Sequence, residues 1–447
     1  MNALHSYQHV GARFLAERNV AFLLDTMGLG KTIQAIRGAD LVGARRILVL
    51  CPAIARIGWA REFQAWQTTD RSIAVVRSGS DLQKQDVIGA DVLLVSYTML
   101  ASEKSRRALL TRRNQVLICD EAHSLKEPKA VRTRAVYGSR INRATGLAAL
   151  ADRVWLLTGT LFPNHPAEVW THLAALLPAQ LEEVVGSRRK ADFIERFCVT
   201  TEDGRIVGGK RIDELTAILR PHALRRTLDD VALELPPLTW SNVTIEPDKL
   251  PPKPEMAPEE LAVVESARSK ILDGESLTAA DLMHISTLKR WVGVAKAPAV
   301  ADLLSQETEP TVVFAVHSAV IDTLAASLLR GECAVIDGRT PVNARQDAID
   351  NFQAGKVRVL ICQMAIASTA LTLTAAAHVV FAESSWTPSD MAQAATRCHR
   401  IRQTRPVLCR VVSLAGSLDE IVNAVIVRKM SVISQIDSEI RTPAMQE

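Results

Sequence analysis

Short runs of consecutive apolar residues, separated by helix-length stretches, organise this chain. In the first half they cover residues 21–24, 47–51, 73–76, 92–96, 116–119 and 154–157. The runs are rich in Val, Ile and Leu and do not alternate with polar residues, as expected of strands buried on both faces of a parallel sheet. Alternation with helices implies right-handed crossovers, and ligands then collect at the carboxyl ends of the strands. The pattern breaks between Leu235 and Pro254, where Pro236-Pro237, Pro247, Pro251-Pro252 and Pro254 mark a stiff extended connector. A mainly helical stretch follows over 258–305, and the strand–helix alternation then resumes with runs at 312–315, 334–336, 357–362, 379–381 and 408–412. The pattern therefore predicts an α/β protein with two parallel-sheet domains. These are residues 1–235 and 258–447, joined by a Pro-rich linker over 236–257, with a helical insertion at the start of the second.

Two of the predicted strands end in residues that carry chemistry. The first leads into Asp25-Thr26-Met27-Gly28-Leu29-Gly30-Lys31-Thr32 and then a helix-like segment. A strand, a glycine turn and a helix start present backbone N–H groups and a helix N-terminus to phosphate oxygens. Met27, Gly28, Leu29, Gly30, Lys31 and Thr32 are thus the candidate nucleotide contacts, with Lys31 reaching the outer phosphates and Thr32 holding Mg²⁺. Asp25 stands where the strict phosphate-loop pattern has its first glycine. About ninety residues later, the run at 116–119 ends in Asp120-Glu121-Ala122-His123. Asp120 suits a magnesium shell, and Glu121 suits orienting or deprotonating an attacking water. The two halves in this order point to a nucleoside triphosphatase using ATP and Mg²⁺, with Lys31, Asp120 and Glu121 as its catalytic groups.

Phosphoryl transfer also needs positive charge on the developing oxyanions. The segment Gln393-Ala394-Ala395-Thr396-Arg397-Cys398-His399-Arg400 is the source the sequence offers. On a helix Arg397 and Arg400 share a face, and a finger borne on a second domain couples hydrolysis to domain closure.

Composition narrows the rest. At 447 residues, 48% hydrophobic and 23% charged, the chain is ordinary globular protein of two-domain size. A net charge of +4 is too small to establish a nucleic-acid partner. Local clusters matter more. Arg106-Arg107 and Arg112-Arg113 are expected to be solvated surface. The run Arg397, Arg400, Arg402, Arg405 and Arg410 fits that reading poorly. Seven scattered cysteines without a C-x-x-C pair indicate neither zinc nor disulfides and imply a reducing compartment. Residues 359–382 carry no charge, but their polar positions fit two buried strands and a short helical crossover better than a membrane span. The first residues show no signal-peptide pattern.

The ordered set of motifs resembles the superfamily-two helicase-fold motors, and within them the Swi/Snf-type DNA translocases. Leu4-His5-Ser6-Tyr7-Gln8 resembles the adenine-reading glutamine motif, which implies that Gln8 contacts the nucleotide. Residues 25–32, Cys51-Pro52 with Trp59 to Trp66, Ser96-Tyr97, Asp120 to Lys126, and Leu157-Thr158-Gly159-Thr160 with Asn164 and Trp170 follow the family's order. In the second half Val313-Phe314, residues 371–376, and Gln393 to Gln403 complete it. The segment at Ala295-Lys296 and the small size are most similar to the annealing-helicase and fork-remodelling branch. The family usually has glutamate at Thr26, proline at Leu161, and glycine at Ala370 and Arg402.

The resemblance implies two RecA-like domains flanking an ATP cleft, with small helical insertions. It implies a DNA-stimulated ATPase that translocates on double-stranded DNA and remodels or reanneals it. A motor that steps along any sequence must hold the phosphate backbone rather than read bases. Ser96, Thr158, Thr160, Ser318, Thr372 and Thr374, at strand ends, are the candidate DNA contacts. The alternatives are a strand-separating DNA or RNA helicase on the same fold, and a nonenzymatic DNA-binding scaffold. A monomer is expected, with no membrane partner, in the cytoplasm of a bacterium or phage-infected cell, or in the nucleus if the source is eukaryotic.

Overall fold

The apolar runs of the first half become strands of one parallel sheet. They are β1 (Val20–Leu23), β2 (Ile47–Cys51), β3 (Ile73–Val75), β4 (Val92–Ser96), β5 (Asn114–Asp120) and β6 (Ala151–Leu157), and each lies within a few residues of its sequence-based position. The structure, a computed structural model, describes residues 4–138, 141, 145–159, 161, 165–201, 204, 206–227, 229–231, 236–246, 266, 269, 279–367, 371–385, 388–400, 403–417, 419–420 and 423. Thr160, Asn164, Ala370, Arg402, the Trp386-Thr387 pair and most of 247–278 lie outside the described residues.

Two compact units divide the chain, Met1–Ala232 and Leu233–Glu447. A hairpin of β7 (Cys198–Thr200) and β8 (Ile206–Gly209), and a short strand β9 (Ala223–Leu224), complete the first unit. Its seven-stranded sheet has the order β3-β4-β2-β5-β6-β1-β9, with parallel pairing throughout. Strands β1, β2 and β4 are buried along their whole length, because helices cover both faces of the sheet. The register pairs Asp120 with Leu157, and Leu157 with Leu23. The carboxyl ends of β5, β6 and β1 are therefore level and adjacent, which brings the segments after residues 23, 120 and 157 to one edge of the sheet.

The second unit holds a six-stranded parallel sheet. Its strands are β10 (Leu238–Ile245), β11 (Thr311–Ala315), β12 (Cys333–Ile336), β13 (Val359–Gln363), β14 (His378–Phe381) and β15 (Val407–Leu414), in the order β10-β15-β14-β11-β13-β12. The expectation of a connector over 236–257 is corrected for part of its length. Residues 238–245 pair with β15 in an eight-residue register from Leu238↔Val407 to Ile245↔Leu414. The prolines flank this strand instead of interrupting it, so its N–H groups remain available to the ladder. Residues 359–381 form β13, a helical turn Met364–Ala367, and β14. Among the described residues no helix is long and apolar enough to cross a membrane.

Arg112 corrects a second expectation. Expected at the solvated surface, it is 2% exposed. Its guanidinium donates to Asn114 Oδ1 at 2.7 Å and to the carbonyls of Ile88, Ala90 and Asp91 at 2.6–2.7 Å. Burial lowers its pKa to about 10. It closes the amino end of β5 by satisfying carbonyls that would otherwise be buried without donors.

The helix Ala279–Ser305 lays Lys289, Gly293 and Lys296 along one stripe over the second sheet. Lys296 is paired with the buried Asp419 and donates to the Val412 carbonyl. Lys289 donates to the Ser384 carbonyl, and burial lowers its ammonium pKa to about 8, despite the favourable charges of Asp419 and Glu383. In the unfolded chain this amine keeps its proton up to its ordinary value near 10.5. Between those two pH values the unfolded state binds more protons, so stability rises with pH across that window. Lys289→Met, with nothing to titrate, should be more stable than the parent at pH 7.5. That advantage should shrink by roughly 3 kcal/mol as the pH approaches 10.5. Thermal unfolding of both chains across that range tests this; a pH-independent difference would exclude the amine as its source.

Candidate active site

The loop after β1 takes its shape from two glycines in the left-handed region, Gly28 at φ 93° and Gly30 at φ 72°. Gly30 caps the helix Lys31–Leu41. The positive φ of Gly30 disfavours any side chain, and a Cβ there would lie 2.6 Å from Gln8 Nε2 and displace that amide. Gln8 approaches because its helix Ser6–Ala16 starts beside the loop. Its Oε1 accepts from the His5 N–H at 3.0 Å, and its Nε2 donates to the Leu29 carbonyl at 3.4 Å. Lys31 donates to the carbonyls of Asp25 at 2.7 Å and Thr26 at 3.3 Å. Lys31 and Thr32 are half-buried in the first turn of the helix.

The end of β5 supplies the carboxylates. Asp120 is 7% exposed and Glu121 is 8% exposed. Trp59, from the helix Ala55–Trp66, donates its indole N–H to Asp120 Oδ2 at 2.8 Å, and the Glu121 N–H donates to Asp120 Oδ1 at 3.0 Å. Burial, with the Glu121 charge beside it, raises the Asp120 pKa to about 6; the Trp59 bond and the Lys31 charge oppose that rise. Glu121 has φ 49° and ψ 53°, a left-handed conformation that is costly for a residue with a Cβ. Its Oε2 is buried without a hydrogen bond, and His123 Nδ1 lies 3.4 Å away. A strained backbone, two adjoining buried carboxyls and an unsatisfied oxygen form a costly arrangement. It fits a site completed by a cation and a water. The hydroxyl of Thr32 and the carboxylate of Asp120 are hard oxygen donors of the kind Mg²⁺ takes.

The DNA candidates separate. Ser96 is 1% exposed and its hydroxyl shares a 2.8 Å bond with Thr98 Oγ1. Thr158 is fully buried, with its Oγ1 3.2 Å from His123 Nδ1, so it joins the end of β6 to the acidic segment. Neither side chain presents a surface to a backbone phosphate. Thr372 is exposed, while Ser318 and Thr374 are half-buried. Ser318 opens the helix Ser318–Ser327, and the N–H groups of Val316 and His317 just ahead donate to Glu383 Oε2 at 2.7 and 2.8 Å. That buried carboxylate already occupies the positive end of the helix.

The arginines of the second unit lie elsewhere than on a helix face. The helix Pro388–Ala395 stops before them, and Arg397 and Arg400 lie in the hydrogen-bonded turn and bend that follow. This corrects the expectation of a shared helical face. Arg397 is 1% exposed, and its carbonyl accepts from the Leu373 N–H at 2.9 Å. Arg400 is half-buried and donates to the Leu371 carbonyl at 2.8 Å and to Thr372 Oγ1 at 2.9 Å. Gln403 adds bonds to the carbonyls of Thr374 and Ala376. Gln353, missed in the sequence, grips the same loop through the Thr372 carbonyl at 3.2 Å and the Ala375 N–H at 2.8 Å. The loop 371–376 and the arginine turn are thus one hydrogen-bonded body. Arg405 and Arg410 are committed to ion pairs with Glu309 and Glu307.

A two-unit parallel α/β chain with a phosphate loop after β1 and paired carboxylates after β5 defines a helicase-type nucleotide-binding protein. The chain matches the SNF2-related domain over residues 7–253 and the helicase conserved C-terminal domain over 295–402, and it belongs to the SNF2-related family. It is 31% identical over 445 residues to the SWI/SNF-related matrix-associated actin-dependent regulator of chromatin subfamily A-like protein 1 of Xenopus tropicalis. That alignment covers 97% of this chain and 45% of the relative. It is 28% identical over 442 residues to the mouse DNA annealing helicase and endonuclease ZRANB3, covering 95% of this chain and 40% of that protein. The chain therefore spans less than half the length of either relative. A solved SWI2/SNF2 ATPase core from Sulfolobus solfataricus, in complex with dsDNA, is 23% identical. It covers 98% of this chain and 94% of that one, with a TM-score of 0.46.

Proposed function

We propose that the chain is an ATPase stimulated by DNA, which moves along the duplex backbone and remodels or reanneals it. The buried Glu121 Oε2, without a hydrogen bond and held in a left-handed backbone one strand away from the phosphate loop, is the observation that carries this reading. A carboxylate kept buried and unsatisfied is placed to accept a proton from, or orient, an attacking water. Lys31 leaves the carbonyls of Asp25 and Thr26 to meet the outer phosphates. Thr32 and Asp120 would hold Mg²⁺, which neutralises charge on the phosphates when bound. Arg400 and Arg397 would supply the remaining positive charge. Thr372 is the DNA contact best supported by exposure, and its hydroxyl accepts from Arg400, the proposed phosphoryl-stabilising residue.

Phosphate release measured with no nucleic acid, single-stranded DNA, duplex, forked DNA and RNA tests the proposal. Stimulation at least tenfold greater by duplex or fork than by RNA is expected; equal rates in all five would overturn DNA dependence. A displacement assay on the same duplexes tests the strand-separating alternative.

Trp59→Phe is expected to raise the Mg²⁺ concentration for half-maximal turnover by about tenfold, because it removes the donor that orients Asp120. A magnesium titration of the full chain reads this directly. An unaltered curve would mean that Asp120 needs no such support.

A further inference from the structure

Arg226 lies just beyond β9, and 201 residues separate it from Asp25. Its Nε donates to Asp25 Oδ1 at 3.0 Å and its Nη2 to Asp25 Oδ2 at 2.6 Å, a two-pronged carboxylate contact. The same Nη2 donates to Gln34 Oε1 at 2.7 Å, and Nη1 donates to the Tyr7 carbonyl. Gln34 closes the ring through Nε2, which donates to Asp25 Oδ2 and to the Leu29 carbonyl, both at 3.0 Å. The guanidinium also lies 5.3 Å from the centre of the Tyr7 ring. Asp25 is fully buried, and the Arg226 side chain is 12% exposed. Even the backbone takes part, since the Thr26 N–H donates to the Arg226 carbonyl at 2.9 Å. A Cβ at Gly11 would fall 1.7 Å from Gln34 Oε1 and 2.8 Å from Arg226 Nη2, so the first helix leaves room for this network.

The network fixes both ends of the phosphate loop. Asp25 and Thr26 provide the carbonyls on which Lys31 rests, and Leu29 precedes the glycine that caps the helix. A buried carboxylate in a loop that normally carries glycine would be unstable without a counter-charge. Arg226 supplies that charge and, through its planar fork, fixes the orientation as well.

We propose that Arg226 is a positioning residue for nucleotide binding, which sets the phosphate loop through Asp25 and Gln34 without touching the phosphates. The proposal rests on the ATPase reading above. The test uses the full chain with Arg226→Lys, Arg226→Gln, Asp25→Asn and the Asp25→Asn/Arg226→Gln pair. ATP turnover gives kcat and KM separately, fluorescent mant-ADP reports binding, and thermal unfolding reports folding. Arg226→Lys keeps the charge and loses the fork. It should raise KM and weaken mant-ADP binding by about tenfold while kcat falls less than threefold, since a small displacement of binding groups is costly. The double variant should be no worse than Arg226→Gln, because the two residues act as one unit. KM and mant-ADP affinity within twofold of the parent in Arg226→Lys would overturn the proposal. A lowered unfolding temperature with unchanged KM in the folded fraction would likewise reduce Arg226 to a structural role. A parent chain that neither hydrolyses ATP nor binds mant-ADP would instead defeat the nucleotide reading itself.

Discussion

Lys31→Ala and Glu121→Gln should each bring DNA-stimulated ATP turnover to background, a loss of at least about 10³-fold. The two losses arise differently. Lys31→Ala removes the one cationic side chain of the phosphate loop, and with it binding as well as charge stabilisation. Glu121→Gln keeps the shape and removes the proton acceptor, an effect worth up to about 10⁴-fold. It also removes one of two adjoining buried carboxylates, so the chain should unfold at the same temperature or higher. Phosphate release with mant-ADP binding separates the two: Lys31→Ala should lose nucleotide, and Glu121→Gln should keep it. Undiminished hydrolysis in either variant would remove that residue from the site.

Arg400→Ala should lower duplex-stimulated kcat by about 10³-fold, the lower end of what an arginine on the transferring phosphoryl supplies. Arg400 is half-buried and its described bonds go to one loop, so the unfolding temperature should move little. Arg397→Ala differs in kind. A side chain that is 1% exposed leaves a void when truncated, so turnover and stability should fall together. Paired kinetics and calorimetry check this. Arg400→Ala turnover within tenfold of the parent would exclude it from phosphoryl transfer.

What could be read from the chain alone follows from how local each signal is. Continuous Val, Ile and Leu runs located the buried strands, because burial on both faces leaves no other pattern. The phosphate loop and acidic segment were legible because each is contiguous and ends a strand. Strand β10 was hidden among prolines, although Leu238-Thr239-Trp240-Ser241 does alternate as a strand with one exposed face should. The hairpin β7–β8 and the two-residue β9 are too short for any period to emerge. Nothing local marks Arg226 beyond its neighbour Arg225; the clue was Asp25, a carboxylate in the phosphate loop that demands a distant partner. The placement of Arg397 and Arg400 on a helix failed because the helix stops at Ala395 and the chain turns to bond with residues 371–376.

The eight-residue pairing of β10 with β15 also decides where this polypeptide can be cut. A fragment begun at residue 258 would strip the outer strand and leave Val407–Leu414 with an open row of backbone donors and acceptors. Such a rim recruits other chains, so that fragment should precipitate at concentrations where one begun at residue 233 stays dispersed.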